Sequence, residues 1–132
     1  MIDRGIIDDL IGLPYLKGGR GPDAYDCWGL CEEVCRRAGV EVPSVRTPPT
    51  RADRNDLFCS TKEIFTKVSR PSPWCLAAFR VGRNWHAGVV LPGLTEFIHV
   101  TGGIRVTISQ LHNCKWRRRF DGFYIFPNNA DS

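Results

Sequence analysis

Asp26-Cys27-Trp28-Gly29-Leu30-Cys31-Glu32-Glu33-Val34-Cys35-Arg36-Arg37-Ala38-Gly39 is the stretch on which the fold turns. Cys27, Leu30, Cys31, Val34, Cys35 and Ala38 recur at helical spacing, so segment 26–38 reads as an amphipathic helix buried along one side. Asp26 is a suitable N-cap, Glu32 and Glu33 stand four residues ahead of Arg36 and Arg37, and Gly39 is placed to close the C-terminus. Cys27 is then the first helical residue, with free backbone N–H groups and the positive end of the helix dipole near its sulfur. Such a position favours thiolate and lowers a thiol pKa. That makes a nucleophile if a base is close, and otherwise only a small buried residue. Cys31 and Cys35, one and two turns further on, read as core.

Upstream, Ile6, Ile7, Leu10 and Ile11 among acids predict a short amphipathic helix over 3–11 that ends at Gly12. Segment 12–22 holds four glycines and two prolines and must be a loop, ordered or disordered. Downstream, the prolines of 40–53 read as a surface crossover, and 54–68 is compatible with one short helix or two. After Pro73 the period changes to two: segments 76–81, 85–91, 96–100, 104–108 and 120–126 are short β-branched and aromatic runs separated by turn residues. Helices first and strands afterwards predict an α+β fold in which the Asp26 helix packs on a meandering antiparallel β-sheet.

With 132 residues, 42% hydrophobic and 24% charged, the chain fits one domain, 1–132, with enough apolar surface to offset the entropy of ordering it. No apolar run approaches the roughly 18 residues of a membrane-spanning helix, so the expectation is a soluble chain without membrane insertion. Acids stand near the N-terminus where a signal peptide would be basic, which predicts synthesis in the cytoplasm outside the secretory route. The six cysteines then read as free thiols, and Cys59, Cys75 and Cys114 show no partner chemistry. The net charge of +4 is modest, and its densest cluster, Lys115-Trp116-Arg117-Arg118-Arg119, reads as a solvated edge rather than a nucleic-acid contact.

His86 and His99 lie on adjacent predicted strands joined by Pro92-Gly93-Leu94-Thr95. A loop of two or four residues puts both on one sheet face, directly opposed or diagonal; a loop of three puts them on opposite faces. Proline at the first loop position disfavours the tight turn, so the four-residue loop is expected, with the histidines diagonal and their Cβ atoms about 7 Å apart. Gly88, on the same face as His86, would leave room for a helix or substrate to approach. A cysteine at a helix tip facing such a sheet, with one histidine as base and a second polar residue to orient it, has the parts of a thiol hydrolase. Cys27 would attack, His86 would move the proton, and His99 would fix the His86 tautomer. The Cys27 N–H, with a donor from Gly18-Gly19 or Tyr15, would hold the oxyanion. His112 reads as a surface residue, and Trp74 and Trp85 as packed aromatics.

Leu13-Pro14-Tyr15-Leu16-Lys17-Gly18-Gly19, Asp26-Cys27-Trp28-Gly29-Leu30, His86-Ala87-Gly88-Val89-Val90-Leu91 and Phe97-Ile98-His99-Val100, in that order, resemble the NlpC-type cysteine peptidases of the papain-like clan. The resemblance covers roughly residues 5–110. It implies a papain-like NlpC fold and a metal-free, cofactor-free Cys-His-His triad cleaving amide bonds in peptidoglycan stem peptides, commonly between D-glutamate and a diamino acid. Cys27 would be nucleophile, His86 base, His99 orienter and Tyr15 a supporting hydroxyl; Asp26 matches the motif aspartate, read as the helix cap. Trp28 stands where many cellular members carry serine or threonine. The Asp-Cys-Trp-Gly-Leu form is similar to a branch associated with phage tails, which implies other tail proteins as partners and delivery to the wall by the virion. Pro73-Trp74-Cys75-Leu76 occupies the region where relatives usually show a Gly-Asp pair. Two other readings stand beside this one. One is a catalytically silent tail component that binds peptide. The other is a zinc-binding module built from Cys27, Cys31 or Cys35 with histidines, although cysteines at i, i+4 and i+8 diverge along a helix.

Overall fold

In a computed structural model, residues 4–40, 66–82 and 84–125 are described. The predicted crossover over 40–53 falls almost wholly outside these residues, as do most of the ambiguous stretch over 54–68 and Cys59. The N-terminal element, Arg4–Leu10, is a 3-10 helix rather than the expected α-helix. Three residues per turn stack Ile7 over Leu10, and those two are buried while Ile11 is left exposed. The lead-in after it is an ordered loop folded back on itself. Tyr15 and Arg20 each bridge to Tyr25, the Tyr25 N–H donates to Pro14 O and the Asp26 N–H to Gly19 O.

Helix α1 spans Cys27–Arg37, with Asp26 as N-cap and Ala38 as C-cap, and Gly39 follows at φ 80°. Its buried side is the predicted stripe, Leu30, Cys31, Val34 and Cys35, with Gly29 added. Arg37 ties α1 to the 3-10 helix: Nη1 donates to Ile6 O at 2.7 Å and to Asp9, while Nε donates to Glu33 at 2.7 Å.

Six strands follow: β1 (Thr66–Val68), β2 (Leu76–Val81), β3 (Asn84–Val90), β4 (Glu96–His99), β5 (Thr107–Gln110) and β6 (Phe120–Ile125). Their order in one antiparallel sheet is β1-β6-β2-β3-β4-β5. Strands β2 to β5 form the expected meander, and β6 returns to close it on the other side of β2, with a bulge opposite Ala78 and Phe79. Strand β1 is an edge strand of three residues, too short to leave a periodic signal. Strand β5 begins later than the predicted 104–108 because Val106 pairs with the lead-in loop, accepting from Gly12 N–H and donating to Leu13 O. A second short helix, α2 (Cys114–Arg117), capped by Asn113, lies inside the basic cluster.

The sheet is buried on both sides. Ala78, Ala87, Val89, Leu91, Ile98 and Val100 meet α1 and the 3-10 helix. Ala77, Phe79, Val90 and Phe97 meet Trp116 of α2. Trp74, just before β2, is buried with φ 67°, a left-handed conformation that side chains other than glycine's rarely adopt, and its N–H donates to Val90 O.

Gly29 and Gly19 let the lead-in close against α1. A Cβ on Gly29 would overlap the Gly19 carbonyl oxygen and press on Asp26 Oδ1, and a Cβ on Gly19 would lie 2.8 Å from Leu16 O. Loop and helix therefore meet backbone to backbone. Gly29→Ala is expected to destabilise the fold by about 2 kcal/mol, in the range for overpacking, although alanine is the better helix former. The midpoint of urea unfolding checks this; an unchanged or raised midpoint would show that the loop yields.

Candidate active site

Asp26 fixes the beginning of α1. Its backbone is extended (φ −88°, ψ 178°), and its Oδ1 accepts from the Gly29 N–H at 2.6 Å and from Arg20 Nη1 at 2.7 Å. Arg20 also reaches Glu32 at 3.6 Å. Arg20 was not legible as a site residue, because nothing in a glycine-rich loop signals that the chain returns to the helix cap.

Cys27 is the first residue of α1, as expected, and half-buried. Its environment differs from the expectation of an activated thiolate. Burial, then the neighbouring Asp26 carboxylate, push the thiol up to about 11, against donation from the backbone N–H groups of Ala87 and Trp28 and the field of Arg20. Helix-end donors are present, but desolvation outweighs them. Cys31 and Cys35 are fully buried with raised pKa values, and all five described cysteines are free thiols.

The four-residue turn between β3 and β4 has the expected register. Val89 pairs with Ile98 and Val90 with Phe97, which leaves His86 and His99 diagonal on one face. His86 Nε2 lies 2.9 Å from His99 Nδ1. Gly88 serves this pair rather than a helix or substrate, since a Cβ there would lie 2.7 Å from Phe97 Cδ2 and 3.2 Å from His99 Cβ. Strand alternation sends Ala87 and Val89 toward α1 and turns both histidines to the opposite face. The expected arrangement, with the helix tip looking onto the histidine face, is corrected accordingly. Of the β3 groups, the Ala87 N–H, in the peptide that follows His86, is the one that acts on the Cys27 thiol. No hydrogen bond joins Cys27 to an imidazole among the described residues.

Two residues missed in the sequence complete the histidine site. Ser109, opposite Phe97 in the β4–β5 pairing, places Oγ 2.8 Å from His99 Nε2. Trp116 covers both rings, with centroids 5.3 Å from His86 and 4.8 Å from His99. Its place inside a basic cluster hid it: Lys115, Arg117 and Arg118 are exposed as predicted, while Trp116 is 6% exposed. His86 and His99 are only 3% and 1% exposed. Burial, the neighbouring His99 and the Lys115 charge lower His86 to about 3, and burial and Lys115 lower His99 to about 4.

Tyr15 is half-buried against the α1-side core. The Gly19 N–H donates to Leu16 O, so the expected oxyanion donor from that glycine is already engaged. The Cys27 N–H keeps its place at the helix start. Trp74 is packed, Trp85 lies under the Arg80 guanidinium at 4.8 Å, and His112 is exposed. No three of His, Cys, Asp and Glu converge as metal ligands among the described residues, so Cys27, Cys31 and Cys35 do not assemble the zinc set considered above.

A helix with cysteine at its first position, packed on an antiparallel sheet that carries a histidine pair, is the architecture of the papain-like cysteine peptidases. The chain belongs to the NlpC/P60 family, whose model matches residues 12–124. It is 26% identical over 129 residues to the gamma-DL-glutamyl hydrolase of Bacillus subtilis (strain 168), covering 89% of this chain and 27% of that protein. The chain thus spans about a quarter of the length of this curated relative. A lipoprotein-like NLP/P60 structure from Staphylococcus aureus subsp. aureus Mu50 superposes with a TM-score of 0.63 at 24% identity, covering 94% of this chain and 42% of that one. The NlpC/p60 domain of the peptidoglycan hydrolase SagA superposes with a TM-score of 0.56 at 20% identity, covering 92% of each chain.

The buried histidines carry a pH signature. Their folded pKa values lie below the ordinary 6.5, so below that pH the unfolded chain binds protons that the folded chain does not. Their contribution is complete above pH 6.5 and is lost as the pH falls toward 4 for His99 and 3 for His86. Between pH 6.5 and 4.5, above the ordinary values of the lowered Asp9 and Glu33, the unfolding free energy should fall with acidification. The slope should reach about 1.4 kcal/mol per pH unit for each histidine. Urea titrations across this window should show the slope in the native chain and lose most of it in a His86→Gln, His99→Gln double variant.

Proposed function

We propose that this chain is a cysteine amidase of the cell wall, hydrolysing peptidoglycan stem peptides between D-glutamate and a diamino acid. The observation that carries the reading is a single one. Cys27 stands at the first position of α1 with the Ala87 N–H among the donors that act on its thiol, and the residue before Ala87 in β3, His86, has Nε2 2.9 Å from His99 Nδ1, which leaves its Nδ1 as the nitrogen for a proton. Family membership supports the class of reaction. Two similar proteins, a gamma-DL-glutamyl hydrolase and a peptidoglycan hydrolase, support the substrate.

In this mechanism Cys27 Sγ bonds to the scissile carbonyl carbon and His86 Nδ1 receives the thiol proton. The transfer requires a bound substrate group or water to bridge the α1 tip and the His86 ring, since the two lie on opposite faces of the sheet. The resting thiol and imidazole are both neutral, with pKa values of about 11 and 3, so the proton moves together with the attack. The Cys27 N–H donates to the oxyanion. His86 then gives the proton to the departing amine as the C–N bond breaks, leaving a thioester. Water, deprotonated by His86, cleaves the thioester and restores the thiol. Tyr15 supports the substrate from the lead-in loop. The Asp26-Cys27-Trp28-Gly29-Leu30 motif supports a finer element of the proposal, action from a phage tail with tail proteins as partners and the virion as carrier to the wall.

A second reading, a silent tail component that binds peptide without cutting it, is favoured by the cover of Trp116 over both histidines and by their low exposure. Mass spectrometry of muropeptides decides between the two. The native chain is expected to split stem peptides and Cys27→Ala to leave them whole; identical products from both would remove the amidase. His86→Ala should abolish turnover. His99→Ala should lower it about a hundredfold and leave a remainder, because it orients the base rather than moving the proton.

A further inference from the structure

We infer that Ser109 is a positioning residue that sets the direction of a hydrogen-bond chain and thereby keeps His86 Nδ1 bare; this rests on the reading of His86 as the base. A neutral imidazole carries one N–H and one lone pair. With His86 Nε2 2.9 Å from His99 Nδ1, and His99 Nε2 2.8 Å from Ser109 Oγ, the chain can run only two ways. In one, His86 Nε2–H donates to His99 Nδ1, His99 Nε2–H donates to Ser109 Oγ, and His86 Nδ1 holds a free lone pair. In the other, the Ser109 hydroxyl donates to His99 Nε2, His99 Nδ1–H donates to His86 Nε2, and the proton of His86 sits on Nδ1. Only the first leaves a base at Nδ1.

The surroundings make Ser109 the element that decides. Around His99 the walls are the Phe97 ring at 4.4 Å and the Trp116 ring at 4.8 Å, neither of which offers a nitrogen or oxygen lone pair to a ring N–H. An N–H at His99 Nε2 therefore has Ser109 Oγ as its acceptor, and without that hydroxyl it would be a buried donor left unpaired. Burial first, and then the Lys115 charge, keep both rings neutral, so which nitrogen is protonated matters throughout the working pH range. Ser109 reaches this place through register: it pairs with Phe97, two positions from His99 along β4, and shares their face. Removing its hydroxyl should switch both tautomers together, moving the proton of His99 to Nδ1 and that of His86 to Nδ1.

Long-range proton–nitrogen spectra of nitrogen-15-labelled histidines at pH 7.5 read this directly, in a His112→Gln background that leaves two rings. The expected result is Nε2–H for both rings in the parent, Nδ1–H for both in Ser109→Ala, and Nε2–H again in Ser109→Thr. In muropeptide hydrolysis, Ser109→Ala should lower kcat about tenfold, the scale of one neutral hydrogen bond, with KM unchanged, and Ser109→Thr should restore it. A parent spectrum with the proton on His86 Nδ1, or an unchanged spectrum in Ser109→Ala, overturns the inference. If the parent cuts no muropeptide while the spectra switch as described, the amidase reading fails and the assignment of Ser109 as the tautomer-setting residue stands.

Discussion

One carboxylate oxygen holds α1 and the loop that leads into it in register. Asp26 Oδ1 accepts from the Gly29 N–H and from the Arg20 guanidinium, so the same atom determines where α1 starts and where the lead-in loop lies against it. Loss of an N-cap of this kind costs about 1 kcal/mol in helix stability. The greater consequence is positional. If α1 began a residue earlier or later, Cys27 would rotate by about 100° and leave the N–H of Ala87.

The second constraint is the period of the sheet. Alternation in β3 and β4 divides the chain's resources between two cores, giving Ala87, Val89 and Ile98 to the helix side and His86, Phe97 and His99 to the other. The thiol and the imidazoles belong to different layers and come near one another only through the β3 backbone. This explains why the site combines a helix tip with strand residues, and why Gly88 is needed. The diagonal histidine pair and Phe97 fill the space its side chain would take.

What could be read in the sequence was what short-range rules govern. The cap at Asp26, the stripe along α1, the bounds of β2 and the four-residue turn that aligns His86 with His99 follow from spacing, hydrogen-bond geometry and turn chemistry. What escaped depends on contacts between distant segments. Arg20 gains its role when a loop returns to the helix, Ser109 when a fifth strand adds to the fourth, and Trp116 when a four-residue helix folds over the sheet. The thiol pKa escaped for the same reason. Helix position is local and predicted a fall, whereas burial is collective and produced a rise. Alternation was counted correctly for the histidines, but which side of the sheet the helix would occupy had no local signal.

Trp74 shows such a collective term set against a local one. A left-handed backbone is free for glycine and costs an L-residue roughly 1 kcal/mol, a cost that indole burial can offset. Alanine or serine would bear the backbone cost with little burial in return. Glycine would remove the backbone cost and the burial together, so tryptophan at this position is held by what its ring buries and not by what its backbone prefers.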